Sequence, residues 1–432
     1  MESYQVSTKT MGMLALASTA GLTIEFYTFY LFGVAAATVF PKEFFPGLDP
    51  TLGIVISFLA FSAGFPARII GAFLFGHYGD KIGRKFSFMV DLTLVGVGGT
   101  LAGVLPGAAT IGVLAPILLV ILRVITGLGL GGEFGGATAL LAEFGSKRKY
   151  RAFWTGFANA GFSIGGFLGA VVLGVFSSTF TTIGWRIGFL LTLAIVIPSL
   201  IARYAIAETP HMVQLIGQKS QARFPSISVF RKFTAPIILL ALFSAFQQFD
   251  GYAALTYMVS YMDIAGYSLV LIAFVVGIGR LYDFAGLAVN GWFSRVFKRR
   301  TTGIIFLAIP TVMSYPYVLS ILSKNIPLVL ITELLLVVFG VGAMHAFAPV
   351  LASEQFPTKY RYSGSGLAYE ISAMIGGMFT PAILSELIGK DVATRYYYIP
   401  AFYVIYFVIG LFGILLLKET KDISLEALDA KA

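Results

Sequence analysis

Hydrophobic residues along this chain fall into runs of about twenty, the length a helix needs to cross the hydrocarbon core of a bilayer, and short polar breaks separate them. Twelve such runs lie near residues 12–40, 51–76, 86–106, 113–142, 152–178, 183–206, 233–261, 267–291, 303–323, 327–350, 362–388 and 396–418. The pattern predicts an all-α integral membrane protein with twelve transmembrane helices, and the even number puts both termini on one side. The first run, from about Met11 to Phe40, outlasts the apolar core of a signal peptide, which reaches about 15 residues, and reads as the first membrane helix.

The longest polar break, residues 207–232, divides the runs into two sets of six. It predicts an N-terminal six-helix bundle over 1–206, a cytoplasmic linker over 207–232 and a C-terminal six-helix bundle over 233–432. The halves also repeat. Gly76-His77-Tyr78-Gly79-Asp80-Lys81-Ile82-Gly83-Arg84-Lys85 aligns with Gly291-Trp292-Phe293-Ser294-Arg295-Val296-Phe297-Lys298-Arg299-Arg300, each after the second helix of its half. Glu143 is answered by Glu354, Arg151 by Arg361 and Glu208 by Glu419, all in the same order and at about the same separation. Ordered matches at one spacing indicate a duplication, so the two bundles are expected to be pseudo-symmetric and able to rock about a central site.

Composition agrees with lipid burial. Hydrophobic residues make up 57% of the chain, charged residues only 12%, and the mean hydropathy is +0.86. These values lie outside the range of soluble domains, and the 48 Gly suit closely packed membrane helices. The net charge of +9 follows position: with the N-terminus inside, 21 Lys and Arg fall in inner loops and tails against 5 in outer loops. That imbalance sets both termini in the cytoplasm of a cell with this protein in its plasma membrane. It also explains the basic loops without nucleic acid.

Several chemistries find no support. Without Cys there is no thiolate site, and His77, His211 and His345 are too scattered for a metal cluster. The glycines of Gly127-Leu128-Gly129-Leu130-Gly131-Gly132 follow no strand and lie in an apolar run, where they serve packing rather than a phosphate. No nucleophile with a partnered base stands out. The expected partners are a small-molecule substrate, protons and the lipid bilayer, with no cofactor, no metal and no enzymatic activity, and the chain is expected to act as a monomer.

The loop Gly76 to Lys85 resembles the G-x-x-x-D-[RK]-x-G-R-[RK] signature of the major facilitator superfamily at each fixed position. Ile24-Glu25-Phe26-Tyr27, Ala67-Arg68-Ile69-Ile70-Gly71, the stretch from Arg123 to Gly131-Gly132-Glu133-Phe134-Gly135-Gly136, and Phe356-Pro357-Thr358-Lys359-Tyr360-Arg361-Tyr362-Ser363-Gly364 resemble its metabolite:proton symporter branch. The resemblance covers essentially the whole chain. It implies a proton-coupled carrier for a small organic acid, an amino-acid-like zwitterion or a similar polar metabolite, and an inner gate formed by Asp80, Arg84, Glu143, Arg151 and Glu208 with Glu354, Arg361 and Glu419. Two features depart from the branch. Thr28 stands where that branch usually has Asp, so no role of that Asp carries over. Gln247-Gln248-Phe249-Asp250-Gly251-Tyr252 resembles the Gln-Gln-x-x-Gly element of sugar porters.

An ionised side chain at the bilayer centre costs about 3 kcal/mol on insertion scales, so such groups are expected to be paired, neutral or facing a water-filled cavity. Arg68, Arg123 and Arg280 share the predicted spans with Glu25, Asp91, Glu133, Asp250, Asp283, Glu333 and Glu370. The acids outnumber the Arg residues, so some must hold protons. Glu25, Glu133, Asp250, Asp283 and Glu370 are the candidates for proton coupling, with a static ion pair as the alternative for Glu25 and Glu133. Tyr27, Arg123, Gln247, Gln248, Tyr252 and Arg280 are the candidates for binding substrate. Of these, Arg123 offers a fork for a carboxylate, while Arg68 reads as structural. Arg280 and Asp283, three apart, can pair along one helix face. A sugar transporter of the same fold, a drug–proton antiporter and a non-transporting receptor remain open beside the symporter.

Overall fold

A computed structural model describes residues 8–81, 84–135, 138, 156–157, 159–205 and 225–421. Twelve helices in these residues traverse the molecule: α1 Thr8–Thr38, α2 Pro50–Tyr78, α3 Arg84–Val104, α4 Leu114–Gly135, α5 Ala160–Val175, α6 Phe180–Ile201, α7 Thr234–Ile264, α8 Leu269–Val296, α9 Arg299–Leu322, α10 Ile326–Gln355, α11 Tyr360–Ile388 and α12 Val392–Leu416. Ten of them are long and apolar enough to cross a membrane, and α3 and α5 carry shorter apolar stretches, Met89–Val104 and Ala160–Val175.

Local chemistry fixes where several helices begin. The Asp49 carboxylate accepts the Thr51 N–H (2.9 Å) ahead of α2, with Pro50 in the first turn. Ser268 and Asn325 accept the Leu271 and Leu328 N–H groups at the starts of α8 and α10 (3.3 and 3.2 Å). Each side chain satisfies a donor that the helix itself leaves open. All three lie at the end of the molecule away from the start of α1, which we term the distal end; the other is the terminal end.

Large apolar side chains point outward along the lengths of the helices, as at Leu114, Ile117 and Ile121 of α4 and Val404, Val408 and Phe412 of α12. A water-facing surface does not tolerate such continuous apolar stripes, whereas lipid does. The interior holds an apolar core of Phe, Leu, Val and Ala in which the buried polar and charged side chains are set. Several runs read from hydropathy stop short of the true helix ends: α8 continues to Val296 and α10 to Gln355. Their last turns bury Asn290, Ser294, Ser353 and Glu354 against other helices, so polarity there does not end the helix.

The helices form two six-helix bundles. In the first, α1 packs on α5, α2 on α4, and α3 on α4 and α6; in the second, α7 packs on α11 and α12, α9 on α10 and α12, and α8 on α10. The bundles meet along α2 with α11 and α5 with α8, which is a two-fold arrangement because α8 and α11 are the repeats of α2 and α5. Close approach inside each bundle depends on glycine. A Cβ on Gly127 would lie 2.9 Å from the Gly64 Cα where α4 crosses α2. A Cβ on Gly342 would lie 2.9 Å from the Asp283 Cα at the matching crossing of α10 on α8.

Two π-helical turns sit where chemistry is concentrated: Ala253–Tyr257 in α7 and Val338–Gly342 in α10. Within the break that separates the halves, Pro225–Lys232 is a further helix packed on α2 and α11.

Candidate functional site

A small cavity lies between the bundles at mid-depth. Phe26, Phe29 and Tyr30 of α1 line it from one side, and Gln247, Gln248, Gly251, Tyr252 and Thr256 of α7, Arg280 of α8 and His345 of α10 from the other. Helical geometry selects these residues. On α7, positions 247, 248, 251 and 252 share a face, whereas 250 points the other way. Asp250 accordingly faces the interior of the second bundle, where the Tyr403 hydroxyl of α12 donates to it. On α1, Phe26, Phe29 and Tyr30 face the cavity, while the Tyr27 hydroxyl points into the first bundle and donates to the Gly188 carbonyl (2.7 Å). Tyr27, expected at the substrate, is therefore placed away from the cavity, with Tyr30 one turn on in its stead.

Beside the cavity the guanidinium of Arg68 on α2 joins two acids. Its Nη1 is 2.8 Å from Glu25 Oε1 on α1, its Nε is 2.5 Å from Glu370 Oε2 on α11, and its Nη2 is 3.2 Å from Glu370 Oε1. All three residues are buried. One ion pair is thus internal to the first bundle and the other crosses to the second. Sequence reading treated Arg68 as structural because it precedes the signature loop, and nothing in the chain's periodicity pairs it with a residue 302 positions away.

Arg123 takes a different position from the one expected of an anion-binding group. Its Nε donates to the Phe61 carbonyl (2.9 Å), and its guanidinium carbon sits 4.2, 5.0 and 4.6 Å from the ring centres of Phe29, Phe32 and Phe61. The rings stabilise the charge through their π-faces; of them Phe29 lines the cavity, and Arg123 itself does not. Arg280 lines it instead. Its Nη1 is 3.9 Å from Asp283 Oδ2, and Asp283 Oδ1 is 3.2 Å from His345 Nδ1. His345, which neither a motif nor its spacing singles out, thereby joins the set. Glu133 is buried on α4 next to Phe134, whose ring stacks on Tyr369 of α11 at 3.7 Å.

Contacts between the bundles lie to either side of the cavity along the helices. At the terminal end the Tyr362 hydroxyl donates to the Gly132 carbonyl (2.7 Å), and Asn159 Nδ2 donates to the His345 carbonyl (2.6 Å). Toward the distal end Tyr252 meets Phe29 and Phe65 (5.1 and 5.4 Å between ring centres), and the Ser62 hydroxyl donates to the Met378 carbonyl.

At the terminal end of the second bundle, Glu354 forms a two-point pair with Arg299 (3.0 and 2.9 Å) and accepts from the Thr420 hydroxyl (2.7 Å). Arg361 Nε donates to the Ser353 carbonyl (3.0 Å), and Glu419 accepts the first N–H groups of α9 from Arg299 and Arg300 (2.9 and 3.0 Å). Burial raises the Glu419 pKa, but the N–H groups of Arg300, Arg299 and Lys421 together with the Arg299 charge bring it below the usual value. Its contribution is therefore present at neutral pH and lost as pH falls through the lowered value. Asp80 and Arg84, the counterparts in the first half, have side chains outside the described set, and Glu143, Arg151 and Glu208 lie outside the described residues. Removing one partner of a buried pair leaves the other uncompensated. Glu354→Ala is expected to destabilise the protein by about 3–5 kcal/mol, seen as a lowered unfolding midpoint of the purified protein, with Glu354→Gln less severe.

Comparison with known proteins follows the same lines. The profile of the Major Facilitator Superfamily matches residues 19–381. The shikimate transporter of Escherichia coli K12 is 32% identical over 87% of this chain and 87% of its own length. The proline/betaine transporter of the same organism is 31% identical over 94% of this chain and 83% of its own. Among solved structures, the proton:xylose symporter XylE bound to 6-bromo-6-deoxy-D-glucose superposes with a TM-score of 0.76 at 17% identity, covering 99% of this chain and 100% of that one.

Proposed function

The chain belongs to the Major Facilitator Superfamily, is a multi-pass membrane transporter and not an enzyme, and on that premise we propose that it is a proton-coupled symporter of a small carboxylate-bearing metabolite, an organic acid or an amino-acid-like zwitterion. The observation that carries the coupling is the shared guanidinium of Arg68, held by Glu25 in one bundle and Glu370 in the other. One cation against two carboxyls is neutral when a single proton is bound, and charge neutrality is what a buried, low-dielectric site favours. Rocking of the two bundles moves α11 relative to α2, which alters the Glu370 contact and so links proton occupancy to the direction the cavity faces.

The halves 1–206 and 233–432, joined through the cytoplasmic linker 207–232, act as the two rocking bodies. Asp80, Arg84, Glu143, Arg151 and Glu208 with Glu354, Arg361 and Glu419 form the inner gate. Lys and Arg distribution supports termini in the cytoplasm and the plasma membrane as location, and one chain supplies the whole cavity, in keeping with a monomer. The solutes named for the relatives support a carboxylate: shikimate, proline and betaine each carry one. A sugar reading draws on Gln247 and Gln248, which line the cavity.

The test is uptake into proteoliposomes. With an inward proton gradient imposed, shikimate, proline or betaine is expected to accumulate, and a protonophore to abolish the accumulation. Accumulation of xylose that no carboxylate inhibits would favour the sugar reading, and flux indifferent to the gradient would overturn proton coupling.

A further inference from the structure

Among the described residues three Arg side chains are buried at mid-depth, and two are committed. Arg68 has three contacts of 3.2 Å or less with two carboxyl groups. Arg123 is held by a backbone carbonyl and screened by aromatic rings. Arg280 is different. Its ion contact with Asp283 is 3.9 Å, beyond hydrogen-bond distance, and its Nε has no hydrogen-bond partner among the described residues. Yet Arg280 is only 4% exposed. A guanidinium held this loosely in a buried place retains donors to offer.

The surroundings of Arg280 point the same way. No carboxyl group is among the residues that line the cavity. Tyr30 Oη, both polar atoms of the Gln247 amide and Gln248 Nε2 line it as buried groups that lack hydrogen-bond partners among the described residues. A buried polar group left without a partner keeps its full desolvation cost, so the cavity is suited to a solute that brings acceptors for several donors and at least one donor for the Gln247 oxygen. Asp283, for its part, has a second partner in His345 (3.2 Å), so it is not left bare if Arg280 turns away from it.

We propose that Arg280 is the carboxylate-binding residue of the cavity and that Asp283 is its exchangeable counter-ion: the solute's carboxylate takes the Arg280 fork, while Asp283 stays with His345. The Gln247 and Gln248 amides then hold a hydroxyl or ammonium group elsewhere on the solute, and the rings of Phe26, Phe29 and Tyr252 limit it to a compact shape. No bond is made or broken; one anion replaces another at a cation. The assignment rests on the carboxylate reading above. It also explains how one cavity can present sugar-porter-like amides and still select an acid.

The experiment is calorimetric titration of the purified full chain in detergent, without a gradient, with shikimate, L-proline and glycine betaine as probes and methyl shikimate and D-xylose as neutral controls. At least one carboxylate is expected to bind, with its affinity lowered about 100-fold by Arg280→Gln and about 10-fold by Arg280→Lys, since lysine cannot make a two-point fork. Asp283→Asn is expected to bind the same carboxylate at least as tightly as the native chain. Where Arg280→Gln fails to fold, Gln248→Leu is read instead, with about a 10-fold loss expected from one missing amide partner. Unchanged affinity in Arg280→Gln, unchanged affinity in the Gln248→Leu stand-in, or loss of binding in Asp283→Asn would overturn the assignment while leaving the carboxylate reading standing. Binding of xylose but no carboxylate, or of none of the probes, would overturn both.

Discussion

Arg68→Leu is expected to abolish gradient-driven accumulation and to lower the unfolding midpoint of the purified protein. The side chain sits between Glu25 and Glu370 at 2.8 and 2.5 Å, and none of the three is more than 2% exposed. Removing the cation leaves two buried carboxyls without a counter-charge, and breaking a buried pair in this way costs about 3–5 kcal/mol. Both acids then keep their protons on either side of the membrane, so nothing is left to alternate. Arg68→Lys separates charge from geometry. It retains the cation but cannot span two carboxyls on different helices with a rigid fork, so stability should recover more than transport. Differential scanning fluorimetry and uptake, measured on the same preparations, check both parts. Native accumulation by Arg68→Leu would remove the trio from the mechanism.

Glu25→Gln should lose accumulation without the loss of stability, leaving a carrier that folds and exchanges solute but no longer concentrates it. The substitution leaves Arg68 with Glu370 alone, a pair that is already neutral and needs no proton. Gradient-driven accumulation is expected to fall by about 10-fold or more, in line with ordinary coupling free energies, while counterflow of labelled solute persists. Glu370→Gln should also uncouple, but it removes the ion pair that joins α11 to α2 as well, so counterflow should slow. A counterflow loss as large in Glu25→Gln as in Glu370→Gln would show that Glu25 serves the rocking motion itself.

The periodicity of the chain made the helices and their division legible, because a bilayer imposes a length and a polarity that few other environments do. The duplication was legible for a related reason: charges at helix ends recur in order, as Glu143 and Glu354 do. Period and spacing put residues four apart, such as Gln248 and Tyr252, on one helix face. They could not say which face of a helix meets which neighbour. Arg123 and Arg280 look alike as cations inside apolar runs, and only the packing of α1, α2 and α4 puts Arg123 behind Phe29 and Phe61. Arg68 with Glu370 and Asp283 with His345 are contacts between separate helices. No local rule reaches across such distances in the chain, which is why neither contact is legible in the sequence. Tyr27 shows the converse: proximity to Glu25 in a motif does not place it at the cavity, because a helix turns it about 100° from its neighbour.

Proton coupling through the Arg68 trio is tested most directly by external pH in lightly buffered proteoliposomes as solute is added with no gradient imposed. Native protein is predicted to make the outside more alkaline as solute enters with a proton, and Glu25→Gln to give no pH change while its counterflow continues. Equal alkalinisation by native protein and Glu25→Gln, or solute entry by native protein with no alkalinisation, would contradict the account.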